Sequence, residues 1–403
     1  MTGNSSDPDV LNYPFERPTA LDPCPHYKRL RESTPVAGIQ MPSGDRALLI
    51  TDYDSVRTVL SDPRFSRAAT TKPNAPRIGT EPQNAKNLLS MDDPEHSRVR
   101  RLVSREFTAR RVAALRPLIQ KYTDDLLDTM EEKGAPTDLV PALAFPLPVT
   151  VICELLGVPV DDRGKFAEWS GTVLSTVSLP TEQIVAAHVA LSTYLGALIA
   201  DKRKTPGDDL LSALVSIHQE DEERLDEEEL LHLGITLLIA GHETTTNQIG
   251  NGVLALLTHR DQFEALRADP GRIPAAVEEL LRFAPPGDEA TLRIALEDVK
   301  LGDTLVPAGT AVLASLASAN RDVRHFGTPD TMDVTRSSAN QHLTFGYGAH
   351  YCIGSGLARL ELQVVFDSLI RRFPTLRLAI APEEVPRSSG RLIHGVTSLP
   401  VAW

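Results

Sequence analysis

Residues 345–354 read Phe-Gly-Tyr-Gly-Ala-His-Tyr-Cys-Ile-Gly, a cysteine among three glycines directly ahead of an amphipathic run, IGSGLARLELQVVFDSLIRRF, over 353–373. Gly346, Gly348 and Gly354 permit positive φ and close backbone approach, so the loop can turn sharply beneath a flat or bulky group. Cys352 would stand at the start of a helix, where unpaired amides and the positive end of the dipole favour a thiolate over a thiol. Three readings of such a thiol compete. A core cysteine is the default, but core cysteines rarely occupy glycine-rich loops. A zinc site needs three or four ligands at recognisable spacing, and His342, His350 and Cys352 supply no second pair. An axial thiolate to haem iron fits best, since it asks for one sulfur, a thin backbone layer under the ring and cations for the propionates.

Working outward, the 226–258 stretch is the second unusual segment. Asp226 and Glu229 form a D-x-x-E capping box, and the apolar-rich pattern then runs to His259 without proline, predicting a helix of about 30 residues and about 45 Å. Its middle, Ala240-Gly-His-Glu-Thr-Thr-Thr246, places a glycine, a carboxylate and three β-branched alcohols in an otherwise apolar segment. Such residues weaken a helix interior and compete for its carbonyls. A polar window facing solvent is one reading. A local distortion facing a ligand, with an acid and an alcohol to move protons in a dry site, is the other.

The rest of the chain patterns mostly as helix: two amphipathic stretches within 97–131, then 138–157, 162–178, 181–203, 207–219, 260–268 and 272–283. Strand signals are few, at 47–52, TLRIA, TLVPAGTAVLASL and the terminal SLPVAW. The fold class expected is mainly α with a small β portion. Residues 66–94 carry four prolines and little periodicity, a long loop of the kind that is usually functional.

The 403 residues are 41% hydrophobic and carry a formal charge of −13, which argues against a nucleic-acid binder. The amino terminus shows neither basic n-region nor apolar h-region, and no apolar run looks long enough to span a bilayer, so a cytoplasmic protein is expected. Cys24, Cys153 and Cys352 share no disulfide or metal spacing. No linker or internal repeat divides the chain.

The run FGYGAHYCIG matches F-x-x-G-x-[HR]-x-C-x-G of the cytochrome P450 haem-thiolate monooxygenases, and the chain resembles their soluble bacterial, actinomycete-type biosynthetic class. AGHETT in the long helix, Glu279-Leu-Leu-Arg282 as E-x-x-R, and Asp93-Pro-Glu-His-Ser-Arg-Val-Arg100 follow the same family pattern. The resemblance covers nearly the whole chain. It implies one triangular domain over 1–403, with haem b between the long helix and the cysteine-loop helix.

It further implies Cys352 as the iron ligand, with Phe345 shielding the sulfur and Gly348 and Gly354 giving the loop clearance. His96, Arg100, Arg293 and His350 would hold the propionates. Glu243 and Thr244 would deliver protons during dioxygen activation, and Gly241 would leave room for dioxygen. Glu279, Arg282 and Arg336 would be a structural trio. Met332, where an aromatic is common, and Ser355-Gly356, in place of Ala-Pro, depart from the family pattern. The substrate pocket would take in Leu88, Leu89, Leu238, Ala240, Glu289, Ala290, Leu292, Ile393 and His394.

The chain has no dinucleotide fingerprint, so electrons would come from a ferredoxin or flavodoxin with its NAD(P)H-dependent reductase. That carrier would dock near arginines 98, 101, 105, 110 and 111. The activity implied is oxygen insertion, hydroxylation or epoxidation, into a hydrophobic secondary metabolite of polyketide or macrolide type, by a monomer. Alternatives are a carrier-bound amino acid, a terpenoid or a xenobiotic as substrate, or a non-catalytic haem sensor.

Overall fold

The computed structural model describes residues 10–78, 84–173, 179–221, 223–287, 291–388 and 393–403. Its axis is the central helix Glu227–Thr258, 32 residues long. The capping box forms as expected: the Asp226 carboxylate accepts from the Glu229 amide at 2.7 Å, and Glu229 Oε2 accepts from the Asp226 amide at 3.1 Å.

The two ends of this helix belong to different cores. Leu230, Leu233, Ile235, Leu237 and Leu238 pack with the helices Pro146–Leu156, Thr181–Lys204 and Leu210–Glu220. Ile249, Val253, Leu254, Ala255 and Leu256 pack instead with the helix Ile273–Phe283 and the cysteine-loop helix Ser355–Arg372. The polar tract 240–246 lies between the two cores, which explains how a helix so apolar at both ends tolerates it.

The expected distortion does not occur. The helix is continuous from Glu227 to Thr258, and the Thr244 and Thr245 hydroxyls donate to the carbonyls four residues back, at 2.9 and 3.4 Å, rather than displacing the backbone ladder.

The main sheet has six strands in the spatial order Leu11–Asn12, Val36–Gln40, Arg46–Ile50, Ala311–Ala314, Thr291–Ala295, Phe65–Ser66. Pairing within it is mixed, and Arg293 stands opposite Val312. The sheet therefore brings residue 65 beside residues 291–295, although more than 220 positions separate them. Among the described residues between 66 and 94 the chain forms two short 3₁₀ turns, Ala68–Thr71 and Leu88–Ser90, and Leu88 and Met91 are buried.

One segment departs from the sequence expectation about membranes. The helix stretch Glu182–Lys204 has the length of a bilayer span and a mean hydropathy of 1.5. It packs against the helix Arg163–Val173, the helix Leu210–Glu220 and the central helix, so it serves the fold.

A second polar cluster closes the C-terminal core. Glu279 and Arg282, both fully buried, form a two-pronged ion pair at 2.7 Å on each prong. Glu279 also accepts from Arg336 Nε at 3.2 Å and the Asp333 amide at 2.9 Å. The remaining Arg282 protons go to the carbonyls of Asn320, Pro329 and Thr331. Met332 fills the adjoining core as an aromatic would.

Candidate active site

A cavity with about 1350 Å³ of unfilled space, its mouth included, lies between the central helix and the cysteine-loop helix. Its wall holds Ala240, Gly241, Thr244, Thr245 and Gln248 from the former and Leu357, Ala358, Glu361 and Leu362 from the latter. The segment Thr344–Gly346 and residues 350–354 form one end of it.

The loop is built by its own hydrogen bonds. The Cys352 amide donates to the Phe345 carbonyl at 2.8 Å, and the Gly346 amide to the Leu343 carbonyl at 2.7 Å. Gly346 and Gly348 take φ of +73° and +74°, a region that L side chains avoid. At Gly348 a Cβ would also lie 2.8 Å from the Leu60 carbonyl. That residue is therefore required twice, for its dihedral and for the close seat of the loop on the end of the helix Tyr53–Ser61. Phe345 packs beneath the loop, with the Arg359 guanidinium 4.5 Å above its ring. Cys352 is exposed to the cavity. The helix begins directly after Gly354, at Ser355, with no side-chain cap.

Four predicted cations gather at one edge. The His96 and His350 rings lie 4.1 Å apart, and Arg100 reaches the Tyr351 carbonyl. Arg293, only 4% exposed, donates to the Phe65 carbonyl at 3.1 Å. A fifth cation, Arg67, was not anticipated: it donates to the Leu89 carbonyl at 2.6 Å and the Leu292 carbonyl at 2.5 Å. No local pattern could have announced it, because both acceptors are backbone atoms distant in sequence.

These groups push one another's proton affinity down. Burial, then His96, Arg293, Arg67 and Arg100, hold His350 down to about 3. Burial and Arg67 lower Arg293 to about 10. His96 Nε2 and Arg293 Nε and Nη2 are buried with no hydrogen-bond partner. Buried donors are rarely left so, and their grouping fits an anion with several oxygens. With a sulfur at the far end and apolar walls between, the residues present fit haem.

Opposite Cys352, Thr244 lines the cavity, and Glu243 accepts from the Asn247 amide nitrogen at 3.3 Å. The space left by Gly241 is not open: a Cβ there would meet Ile152 Cδ1 at 2.7 Å. The glycine lets the helix Pro146–Leu156 approach closely at a point where both line the cavity.

The predicted substrate residues divide. Leu88, Leu89 and Ala240 line the cavity. Leu238 does not; it faces the N-terminal core, and its carbonyl accepts from His242. Leu292 likewise points into the sheet core, and its neighbour Thr291 takes the wall position. Glu289 and Ala290 lie outside the described residues. Ile393 bridges to Gly287, and the buried His394 ring meets Arg17 at 3.0 Å instead of the cavity. Pro286, Leu281, Leu316 and Phe107 complete an apolar lining.

A family model described as Cytochrome P450 matches residues 25–196 and 173–391. The chain is 50% identical to the nocardicin C N-oxygenase of Nocardia uniformis subsp. tsuyamanensis, over 98% of this chain and 99% of that one. It is 46% identical to the mycinamicin IV hydroxylase/epoxidase of Micromonospora griseorubida, over 97% and 98%. Among solved structures, the putative thioether synthase SgvP, involved in the tailoring step of griseoviridin, superposes with a TM-score of 0.93 at 47% identity, covering 98% of this chain and all of that one.

Proposed function

The chain belongs to the cytochrome P450 family and is a haem-dependent monooxygenase, and from that premise we propose that it inserts one oxygen atom into a hydrophobic secondary metabolite of macrolide type. The observation that carries this reading is the pairing, across one apolar cavity, of Cys352 with Thr244, with Glu243 one residue before it on the same helix. When bound, the haem supplies the activation of dioxygen with two electrons and two protons.

The chain's own residues prepare that chemistry. Cys352 would ligate the metal, and the helix start behind it favours the thiolate. Phe345, with the Arg359 guanidinium stacked on its ring, would shield the sulfur. Arg293, His96, His350, Arg100 and Arg67 would hold the cofactor by its carboxylates through charge-assisted hydrogen bonds. Thr244 holds a proton at its hydroxyl on the cavity wall, and Glu243, partly exposed one residue away, brings protons from solvent. Leu88, Leu89, Phe107 and Leu316 exclude water and press an apolar substrate toward the reacting face.

Electrons reach the site from a ferredoxin or flavodoxin and its reductase. Arg101, Arg105 and Arg110 are the exposed cations next to the helix Glu95–Ser104 that suit an acidic carrier. Arg98 is committed to the buried Glu229 at 2.5 Å, which draws it off that face, whereas Arg111, paired with Glu106 at 2.5 Å, stays more than half exposed beside it. The domain is a single unit over 1–403 and acts as a monomer.

The test is optical and catalytic. The reduced carbon monoxide complex shows the red-shifted Soret band of thiolate ligation, and Cys352→Ser abolishes it; a band that survives this change sinks the assignment. Mycinamicin IV, titrated against the ferric protein, shifts the Soret band and is turned over with surrogate ferredoxin and reductase. The identity with the nocardicin C N-oxygenase favours a second reading, oxidation at an amine nitrogen, for which nocardicin C is the matching probe.

A further inference from the structure

Within the tract 240–246, His242 turns its back on the cavity. Ala240, Gly241, Thr244 and Thr245 line the wall, whereas His242 is 1% exposed and falls on the opposite face, as about 100° per residue requires. Its surroundings there are those of a core, with Phe145 edge-on to the ring at a centroid distance of 6.3 Å. An apolar side chain would fill such a place; the imidazole adds two directional bonds.

The two ring nitrogens point to different helices. Nδ1 lies 2.8 Å from the Leu238 carbonyl, one turn back in the central helix, and since a carbonyl only accepts, Nδ1 carries the ring proton. Burial, acting against the Leu238 bond and Glu243, lowers the proton affinity of the ring and keeps it neutral. Nε2 lies 2.9 Å from the hydroxyl of Ser170, fully buried on the helix Arg163–Val173, so Nε2 accepts and Ser170 donates. The Ser170 hydroxyl is also 2.6 Å from the Phe166 carbonyl, but that oxygen already takes an amide bond of its own helix. The helix Arg163–Val173 packs on Thr181–Lys204, with Phe166 edge-on to Tyr194 at 4.7 Å. The bond from His242 therefore ends on a body that does not turn with the central helix.

A brace matters more at this point than elsewhere along that helix. On either side of the tract, leucines and isoleucines interlock with one core or the other and oppose rotation. Within it, the side chains of the wall face a cavity and have no protein to lock against. A hydroxyl about 5 Å from the helix axis moves about 1.7 Å for a rotation of about 20°, and a misplacement of about 1 Å can cost a reaction about 100-fold.

Resting on the reading of Thr244 as the hydroxyl that holds a proton on the cavity wall, we propose that His242 and Ser170 are positioning residues, whose hydrogen bond ties the tract to the helix Arg163–Val173 and sets the rotation at which Thr244 is presented to the reacting face. Neither residue touches substrate or cofactor, and neither passes a proton. Their effect on the reaction runs through Thr244.

Ser170→Ala is the mildest way to cut the brace, since it removes one hydroxyl and leaves the ring in place. The probe is carbon monoxide on the reduced, haem-loaded protein, because it lies in the cavity whose wall Thr244 forms. The wild type is expected to give one narrow C–O stretch in the infrared, which Ser170→Ala and His242→Phe each shift or split. Thr244→Ala shifts the band as well, and adding Ser170→Ala to it produces no further change, the non-additivity expected of residues that act through one another. A stretch unchanged in Ser170→Ala, or a shift that adds to that of Thr244→Ala, overturns the proposal. Where His242→Phe fails to fold, Ser170→Ala carries the test alone. In the apoprotein, amide hydrogen exchange across 240–246 should quicken several-fold in Ser170→Ala, and exchange as slow as in the wild type also overturns it. Loss of the thiolate carbon monoxide band in the wild type removes the haem-thiolate reading instead, and leaves the exchange measurement to decide the brace.

Discussion

The buried charge around Glu279 and that around Arg293 are finished to different degrees. Around Glu279 each prong of the carboxylate meets Arg282, and Arg336, the Asp333 amide and three carbonyls take up the remaining capacity. Around Arg293 stand Arg67, Arg100, His96 and a neutral His350; His96 reaches Asp93 at 3.7 Å, and three ring or guanidinium nitrogens have no partner. The first cluster is complete without a ligand and holds the fold. The second is complete only with an anion, so its repulsion becomes binding energy when the cofactor's carboxylates arrive. A buried ion network and a binding cradle can thus use the same residue types, and partner accounting separates them.

The comparison is broken most forcefully at Glu279. Glu279→Ala leaves Arg282 buried and uncompensated, and is expected to cost about 3–5 kcal/mol in denaturant unfolding, in the apoprotein and the haem-loaded protein alike. A loss confined to the haem-loaded form would show that the trio belongs to the cradle.

At Arg293 the expectation inverts. Arg293→Met removes a cation that repels its neighbours, so the apoprotein should unfold at equal or higher denaturant. Haem retention should weaken by about 10- to 100-fold, the scale of a lost charge-assisted hydrogen bond of about 1.5–3 kcal/mol. Haem transfer to apomyoglobin measures the second, and an apoprotein destabilised by this change would contradict the open cluster.

The smallest effect is that of His350. Its neutral form is enforced in the apoprotein, while the unfolded chain binds a proton near pH 6.5. The unfolded state therefore holds more protons below that pH, and apoprotein stability should fall as pH drops from about 6.5. A bound dianion restores the proton affinity of His350, so haem uptake near pH 6 should take up protons and flatten the slope. His350→Asn removes the difference; thermal melts of both forms at pH 5 and 7 read it.

Much of this could be read from the chain. The capping box at Asp226 and Glu229, the helix behind Cys352 and the edges of the helices at 260–268 and 272–283 follow from local patterns, and the structure has them within a residue or two. What failed was direction. Leu238 and Leu292 are apolar on elements that adjoin the cavity, yet a helix or strand has several faces, and which one meets a cavity depends on neighbours far away in sequence. Arg67 was invisible because its acceptors are carbonyls at positions 89 and 292. At Gly241 the close stand of Ile152 was likewise out of reach, because Ile152 comes from a helix some 90 positions earlier.

The seat of the cysteine loop against Leu60 bears on how the protein comes into being. The cavity wall draws on positions from 88 to 362, and the loop itself rests on a carbonyl laid down some 290 residues earlier. A ribosome has therefore made about nine tenths of the chain before any surface exists on which an iron porphyrin could settle, and long-range contacts of this kind form late. Cofactor loading has to follow translation. Until then the arginines and histidines of the cradle belong to a chain that has the enzyme's sequence and lacks its chemistry.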